Sequence, residues 1–370
     1  MARDGEDLFP QCQMTCQMKQ APIQFRRGLV VGKFCPLHKG HELVIERAIA
    51  SCDEVIVISY TKPEFDACPP KMREAWINAI FPSVTSLVLD DALLDQHCKA
   101  LQLPSKLVPH NEEPDDIHRE FVAWLCWAVL RVTVDAVFTS ENYGDGFARV
   151  LSTYFQKQSD TAQTVKHLCV DIQRNAIPTS GTQLRGDPHR YRKFLSPKVY
   201  ASFVKRVCIL GGESSGKTSL CQALARRCET VWVPEYGREL WELNRGELRF
   251  RDMLRIGETQ IDRENALLEK SNRYLFCDTS PLTTLFYSLS MFDKADARLR
   301  EMASRSYDFI FLCSPDFPFV QDGTRKDDQF RQSQHSWYLS QLDEKAIPYH
   351  LLSGSIESRI STVLNVVAAG

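Results

Sequence analysis

The sequence has no long hydrophobic run, no excess of charge of one sign and no paired arrangement of cysteines. Its longest apolar stretch, Phe121–Leu130, is ten residues, about half of what a membrane-spanning helix needs, and no apolar segment follows the acidic start at Met1–Glu6, so no signal peptide is predicted. Lys and Arg number 45 against 47 Asp and Glu. Without a global positive field, we expect neither a membrane nor a nucleic acid as partner.

The thirteen cysteines are scattered and odd in number. This usage is typical of reduced thiols rather than of a disulfide framework, and it predicts a cytoplasmic location. Cys12 and Cys16 have no second close pair, so the spacing does not favour a zinc site.

The chain of 370 residues, 44% hydrophobic and 25% charged, has the composition of a globular protein and the length of about two domains. Residues 1–25 are rich in Gln and Met and are predicted to form a disordered tail. Beyond them, compact apolar strands alternate with amphipathic helices in both halves. This alternation predicts two doubly wound α/β domains with parallel sheets, over residues 26–190 and 204–370.

The second half opens with a phosphate-binding pattern, GGESSGKT, between a predicted strand over Arg206–Leu210 and a helix from Lys217. Backbone N–H groups of such a loop, together with the helix amino terminus, favour phosphate. Lys217 would reach the β- and γ-phosphates, while Thr218 and Asp278 would ligate Mg²⁺. The predicted nucleotide-binding residues of this loop are Gly211, Gly212, Glu213, Ser214, Ser215, Gly216, Lys217 and Thr218.

Two further groups of the second half are candidates for phosphoryl transfer. Glu235 follows a predicted strand and could orient or deprotonate an acceptor hydroxyl; a solvated loop carboxylate is the alternative. The stretch QDGTRKDDQFR contains Arg325 and Arg331, either of which could stabilise charge from a mobile lid. An exposed helix explains this stretch equally well.

The first half carries a second loop, GKFCPLHKGH, also between a strand and a helix. His38 and His41 stand near the amino end of that helix, where an anion is favoured, and Gly40 permits close approach of the backbone to a ligand. Further along, PTSGTQLR places hydroxyls and a guanidinium in one short segment. The candidates of this half are Gly32, Lys33, Phe34, His38, Gly40, His41, Ser180, Thr182 and Arg185.

The first loop and the PTSGTQLR segment resemble the nucleotidyltransferases with an H-x-G-H signature. Together with GGESSGKT and EYGREL, their order resembles the NadR-type bifunctional nicotinamide-nucleotide adenylyltransferases and ribosylnicotinamide kinases. The resemblance implies a Rossmann-like nucleotidyltransferase followed by a P-loop kinase, with His38, His41, Arg185, Lys217 and Glu235 as catalytic residues. Among the late arginines it favours Arg325.

The same resemblance implies NAD synthesis and salvage. The second half would phosphorylate nicotinamide riboside to the mononucleotide (NMN) with ATP, and the first would join NMN to AMP from ATP, giving NAD and pyrophosphate. The amino-terminal tail is too short for the helix-turn-helix that some relatives carry, so we expect no repression of transcription through DNA binding. The sequence leaves open whether the chain forms a homo-oligomer.

Two other functions are compatible with the residues alone. One is a nucleotide-sensing regulatory protein in which one or both domains are weakly active. The other is an adenylyltransferase and kinase fusion that acts on a different small molecule, because motifs do not fix an acceptor pocket.

Overall fold

A computed structural model describes residues 24–141, 143–159, 163–171, 175–320 and 326–369. The chain divides into two compact units, residues 1–181 and 182–370. Most of the predicted tail and Arg325 lie outside the described residues. In the part of the chain that is described, no helix is long and apolar enough to cross a bilayer.

The first unit is built on a five-stranded parallel sheet in the order β3-β2-β1-β4-β5. Its strands are β1 (Phe25–Gly32), β2 (Cys52–Tyr60), β3 (Thr85–Leu89), β4 (Ala136–Thr139) and β5 (Lys166–Cys169). Its helices are α1 (Lys39–Ile49), α2 (Pro70–Ile80), α3 (Asp91–Ala100), α4 (Asp115–Trp124), which continues as a π-helical turn (Leu125–Val129), and α5 (Gly144–Gln158).

The central strand β1 is buried at Leu29 and Val30 and pairs with both β2 and β4. An apolar core lies against the sheet and includes Ile58, Phe121 and Leu151. Because the strands are parallel, the carboxyl ends of β1, β2 and β4 lie at one edge. The loop with the two histidines begins at that edge, where parallel α/β sheets bind their ligands.

A short helix, α6 (Gly181–Gly186), crosses the division between the units, and α7 (Pro197–Tyr200) follows. The second unit has a parallel sheet in the order β10-β9-β6-β8-β7. Its strands are β6 (Lys205–Gly211), β7 (Trp232–Val233), β8 (Tyr274–Asp278), β9 (Phe309–Cys313) and β10 (His350–Leu352). Its helices are α8 (Lys217–Arg227), α9 (Tyr236–Leu243), α10 (Phe250–Leu268), α11 (Pro281–Phe292), α12 (Ala297–Met302), α13 (Asp328–Glu344) and α14 (Ile356–Ala369).

Apolar cores flank both faces of the second sheet. One, with Leu220 and Val363, packs α8 and α14 on one face, and the other, with Leu285 and Tyr338, packs α11 and α13 on the opposite face. The predicted fold class, two doubly wound α/β units with parallel sheets, is therefore confirmed.

Candidate nucleotide-binding sites

The loop between β6 and α8 has a conformation that requires its glycines. Gly211 and Gly216 have φ values of +150° and +81°, a backbone region in which glycine carries no steric cost. A Cβ on Gly216 would also lie 2.9 Å from the ring of Phe317, and one on Gly212 would lie 2.8 Å from the carbonyl oxygen of Arg331. Neighbouring segments therefore pack directly against this loop.

Side chains of the same loop converge on one carbonyl. Ser215 Oγ donates to Gly212 O at 2.7 Å, and Lys217 Nζ donates to it at 2.9 Å. Lys217 is the first residue of α8, where the helix dipole favours an anion. The loop thus places an ammonium group beside the amino terminus of a helix, as phosphate binding requires.

Thr218 and Asp278 meet at the carboxyl end of β8. Thr218 Oγ1 donates to Asp278 Oδ2 at 2.5 Å. Asp278 is 1% exposed, and its Oδ1 has no hydrogen-bond partner among the described residues. Burial raises the pKa of Asp278, while Lys217 and the bond from Thr218 oppose that shift.

A pocket of about 150 Å³ opens beside this loop. Its walls combine apolar groups with a few polar ones, the usual character of a small-molecule site. They include Glu235, Arg238, Trp241, Leu248, Met253, Ile256, Gln260, Thr279, Thr283, Thr284, Tyr287 and Met291. Glu235 precedes α9 and is partly exposed, yet the surrounding protein atoms desolvate it and raise its pKa; Lys217 opposes that shift.

The carboxylate of Glu213 faces this pocket. Tyr287 OH donates to its Oε1 at 2.9 Å, and the backbone N–H of Lys326 donates to its Oε2 at 2.8 Å. The backbone N–H of Glu213 donates to Gln334 Oε1 at 3.1 Å. Glu213 therefore joins the phosphate loop to α11 through its side chain and to α13 through its backbone N–H.

Arg331 is described, and its surroundings differ from those of an exposed helix. Its side chain is 4% exposed, pairs with Asp328, and donates from Nη1 to Phe317 O at 2.8 Å. The alternative of an exposed helix is therefore wrong for this arginine, which lies against the phosphate loop at Gly212.

Arg359 was not predicted from the sequence, although it supports the loop. It is fully buried in α14, and its Nη1 donates to Ser215 O at 2.8 Å. Nη2 donates to Ser314 O at 3.1 Å and pairs with Asp316. A lone arginine in the sequence of α14 gives no signal for such a role, because its partners are carbonyls of distant segments.

In the first unit, the loop between β1 and α1 packs its aromatic rings together. Phe34 has a φ of +48° and is 1% exposed. Its ring lies edge-on to the ring of His41, with centroids 4.9 Å apart. A Cβ on Gly32 would lie 2.8 Å from the same phenyl ring, which explains the glycine at this position.

The structure brings the two histidines of the H-x-G-H loop together. Their rings stack with centroids 3.6 Å apart, and His38 caps α1 by accepting the N–H of Gly40 on Nδ1 at 3.1 Å. In the neutral imidazole the proton then resides on Nε2. Lys33, on the same loop, is exposed.

The PTSGTQLR segment lies at the division between the units. Ser180 is partly buried and precedes α6, whereas Thr182 and Arg185 lie within that helix. Arg185 Nη2 donates to Thr182 Oγ1 at 3.1 Å. In the described part of the chain, no group of three or more His, Cys, Asp or Glu side chains could hold a metal ion.

Comparison with known proteins gives relatives for most of the chain. Residues 206–359 match an AAA domain. The trifunctional NAD biosynthesis and regulator protein NadR of Escherichia coli is 27% identical over 316 residues, which cover 80% of this chain and 71% of the relative. The NadR protein of Salmonella typhimurium is 26% identical, with the same shares covered.

Two solved structures share the architecture. A NadR protein in complex with NR superposes with a TM-score of 0.67 at 19% identity, covering 94% of this chain and 96% of that one. A NadR protein in complex with NAD and AMP-PNP gives 0.66 at 20% identity, covering 95% and 98%. The resemblance to NadR-type proteins that the motifs predict is confirmed over most of the chain, in sequence and in fold.

Proposed function

We propose that the chain is a bifunctional enzyme of NAD synthesis and salvage. The second unit transfers the γ-phosphoryl group of ATP to nicotinamide riboside and releases NMN and ADP. The first unit joins NMN to the AMP part of ATP and releases pyrophosphate with NAD. The observation that carries the proposal is that one chain, similar to NadR over 80% of its length, holds a phosphate loop beside an acceptor pocket and a separate paired-histidine loop.

The geometry of the second unit supports phosphoryl transfer. The walls of the pocket combine the carboxylates of Glu213 and Glu235 with apolar groups such as Trp241 and Met253. The planar pyridinium ring of the riboside can pack against these side chains while its ribose hydroxyls face Glu235 and Arg238. A phosphoryl group held by Lys217 would then lie at the mouth of the acceptor pocket.

Thr218 and Asp278 fit a Mg²⁺ ion bound with the nucleotide. A hydroxyl and a carboxylate already in contact are hard oxygen ligands, and the buried Oδ1 of Asp278, without a partner among the described residues, is a vacant acceptor. When bound, Mg²⁺ neutralises charge on the β- and γ-phosphates. The protein then needs only these two oxygens, because the phosphates and water supply the other ligands.

Glu235 is suited to accept the proton of the attacking hydroxyl. It must be ionised to do so, and burial raises its pKa toward the pH range in which a general base is most effective. Lys217 keeps the carboxylate accessible in its charged form by opposing that shift. The structure thus supports a base and a phosphate-binding cation that influence each other directly.

Adenylyl transfer in the first unit needs no general base. The attacking group is a phosphate that is already ionised at neutral pH, so the protein contributes donors that stabilise negative charge on the α-phosphate. His38 can donate from Nε2 because the N–H of Gly40 fixes its Nδ1 as an acceptor. We assign the same electrostatic role to His41, Lys33 and Ser180, and to Thr182 and Arg185 of helix α6, which directly follow the first unit in the chain.

Purified protein with two substrates tests this proposal. With MgATP and nicotinamide riboside it should form ADP, pyrophosphate and NAD, whereas with MgATP and NMN it should form pyrophosphate and NAD without ADP. Pantetheine phosphate, offered as an alternative acceptor, should not react. If another acceptor reacts while neither nicotinamide riboside nor NMN does, the assignment of substrate is contradicted.

A further inference from the structure

The paired-histidine loop holds a strained residue at its centre. Phe34 lies in the left-handed region at φ +48°, a backbone conformation that L-residues seldom adopt. Its ring contacts His41, which stacks on His38. The positions of both imidazoles therefore depend on the contacts that fix the peptide between Lys33 and Phe34.

That peptide is held through the carbonyl oxygen of Lys33. Ser59 Oγ donates to it at 3.0 Å, and Cys35 Sγ donates to it at 3.1 Å. Ser59 is fully buried in β2, next to Gly32 in the sheet register. A strand that forms part of the rigid sheet thus supplies the principal hydroxyl to the loop.

Arg73 of α2 orients this serine. Its Nη1 donates to Ser59 Oγ at 2.8 Å and lies 3.5 Å from Lys33 O. Its Nη2 contacts both carboxylate oxygens of Glu64, at 2.9 and 2.8 Å. Arg73 is 0% exposed, and a guanidinium buried to this degree is retained only with its partners in good geometry.

The donation from Arg73 fixes the direction of the serine hydroxyl. Because Ser59 Oγ accepts the N–H of Arg73, its own proton is directed to Lys33 O. We propose that Arg73, held by Glu64 and acting through Ser59, is a positioning residue that sets the backbone at Phe34 and thereby the stacked pair His38 and His41 for adenylyl transfer. This proposal rests on the proposed function of the first unit.

Ser59→Ala tests it without removing a buried charge. Ser86→Ala is the matched control, since the hydroxyl of Ser86, on the neighbouring strand β3, donates to Asn78 in an exposed pair. A second variant, Arg73→Lys, keeps a positive charge but has a single nitrogen, so it cannot hold Ser59 and Glu64 from two separate nitrogens as Arg73 does. Protein labelled with ¹³C at histidine Cε1 gives one resonance for each of nine histidines. His38 and His41 are assigned with single Gln variants.

Ser59→Ala and Arg73→Lys should move the His38 and His41 resonances and lower kcat for NAD formation from NMN about tenfold to a hundredfold, as a loop displaced by up to about 1 Å does. Ser86→Ala should change neither. Unmoved resonances in Ser59→Ala, or moved resonances with a wild-type rate, overturn the proposal. If the wild-type protein makes no NAD from NMN, the proposed function fails, and the resonances alone then decide the positioning.

Discussion

Replacing Lys217 by Ala separates the two proposed activities. Lys217 Nζ donates to Gly212 O at 2.9 Å, and its side chain is partly exposed. Its loss should therefore lower the free energy of unfolding by only about 1 kcal/mol. The transferring phosphoryl group, in contrast, loses a positive donor, which costs about 10²- to 10³-fold in kcat, or roughly 3–4 kcal/mol.

The assay measures both reactions on the same preparation. ADP released from riboside and ATP reports the second unit, and NAD formed from NMN and ATP reports the first. Lys217→Ala should lose the former and keep the latter, whereas Lys270→Ala, at an exposed lysine after α10, should keep both. Loss of NAD formation from NMN in a folded Lys217→Ala protein, or riboside phosphorylation at the wild-type rate, would refute the division of labour.

Substitutions at three other positions test single parts of the two sites. Glu235→Gln should lower kcat for riboside phosphorylation about 10²- to 10⁴-fold. Because burial raises the pKa of Glu235, the wild-type rate should fall as the pH drops through that pKa. The pH profile of the variant should lack this fall. Gly216→Ala, at φ +81° and against Phe317, should lower the free energy of unfolding by roughly 1–2 kcal/mol, measured by denaturant titration, and a wild-type midpoint would contradict the loop geometry. His38→Ala should lose both the α1 cap, about 1 kcal/mol, and adenylyl transfer, whereas His38→Asn should restore stability alone; equal unfolding midpoints for the two variants would exclude the capping role.

The sequence predicts both ligand loops well because their constraints are local. GGESSGKT needs particular backbone angles at Gly211 and Gly216, and the H-x-G-H spacing puts a side-chain acceptor at His38 two residues before the N–H of Gly40. Strands β4 and β9 lie on the short apolar runs AVFT and FIFLC. The apolar stretch Phe121–Leu130 begins in an α-helix that changes to a π-helical turn at Leu125, a change of hydrogen bonding that the apolar pattern does not reveal.

Other elements are hidden from such reasoning for a physical reason. Helix α13 buries Arg331, Gln334, Tyr338 and Leu342, so two of its four buried positions are polar and apolar periodicity is a poor guide. Arg359 and Arg73 each donate to another element of the fold: Arg359 to the carbonyl oxygen of Ser215, and Arg73 to the hydroxyl of Ser59. Such contacts depend on which acceptors the fold brings near the guanidinium group, and the spacing of residues along the sequence does not indicate them.

The most direct test of the central claim follows both phosphates of ATP into one product. Protein is incubated with nicotinamide riboside and MgATP labelled with ³³P at the α-phosphate and ³²P at the γ-phosphate, and NAD is isolated. The account predicts NAD with equal molar amounts of both labels, since the γ-phosphoryl group becomes the phosphate of NMN and the α-phosphate arrives with AMP. NAD that carries only the α label, or labelled NMN with no NAD, would contradict synthesis of NAD from the riboside by this one chain.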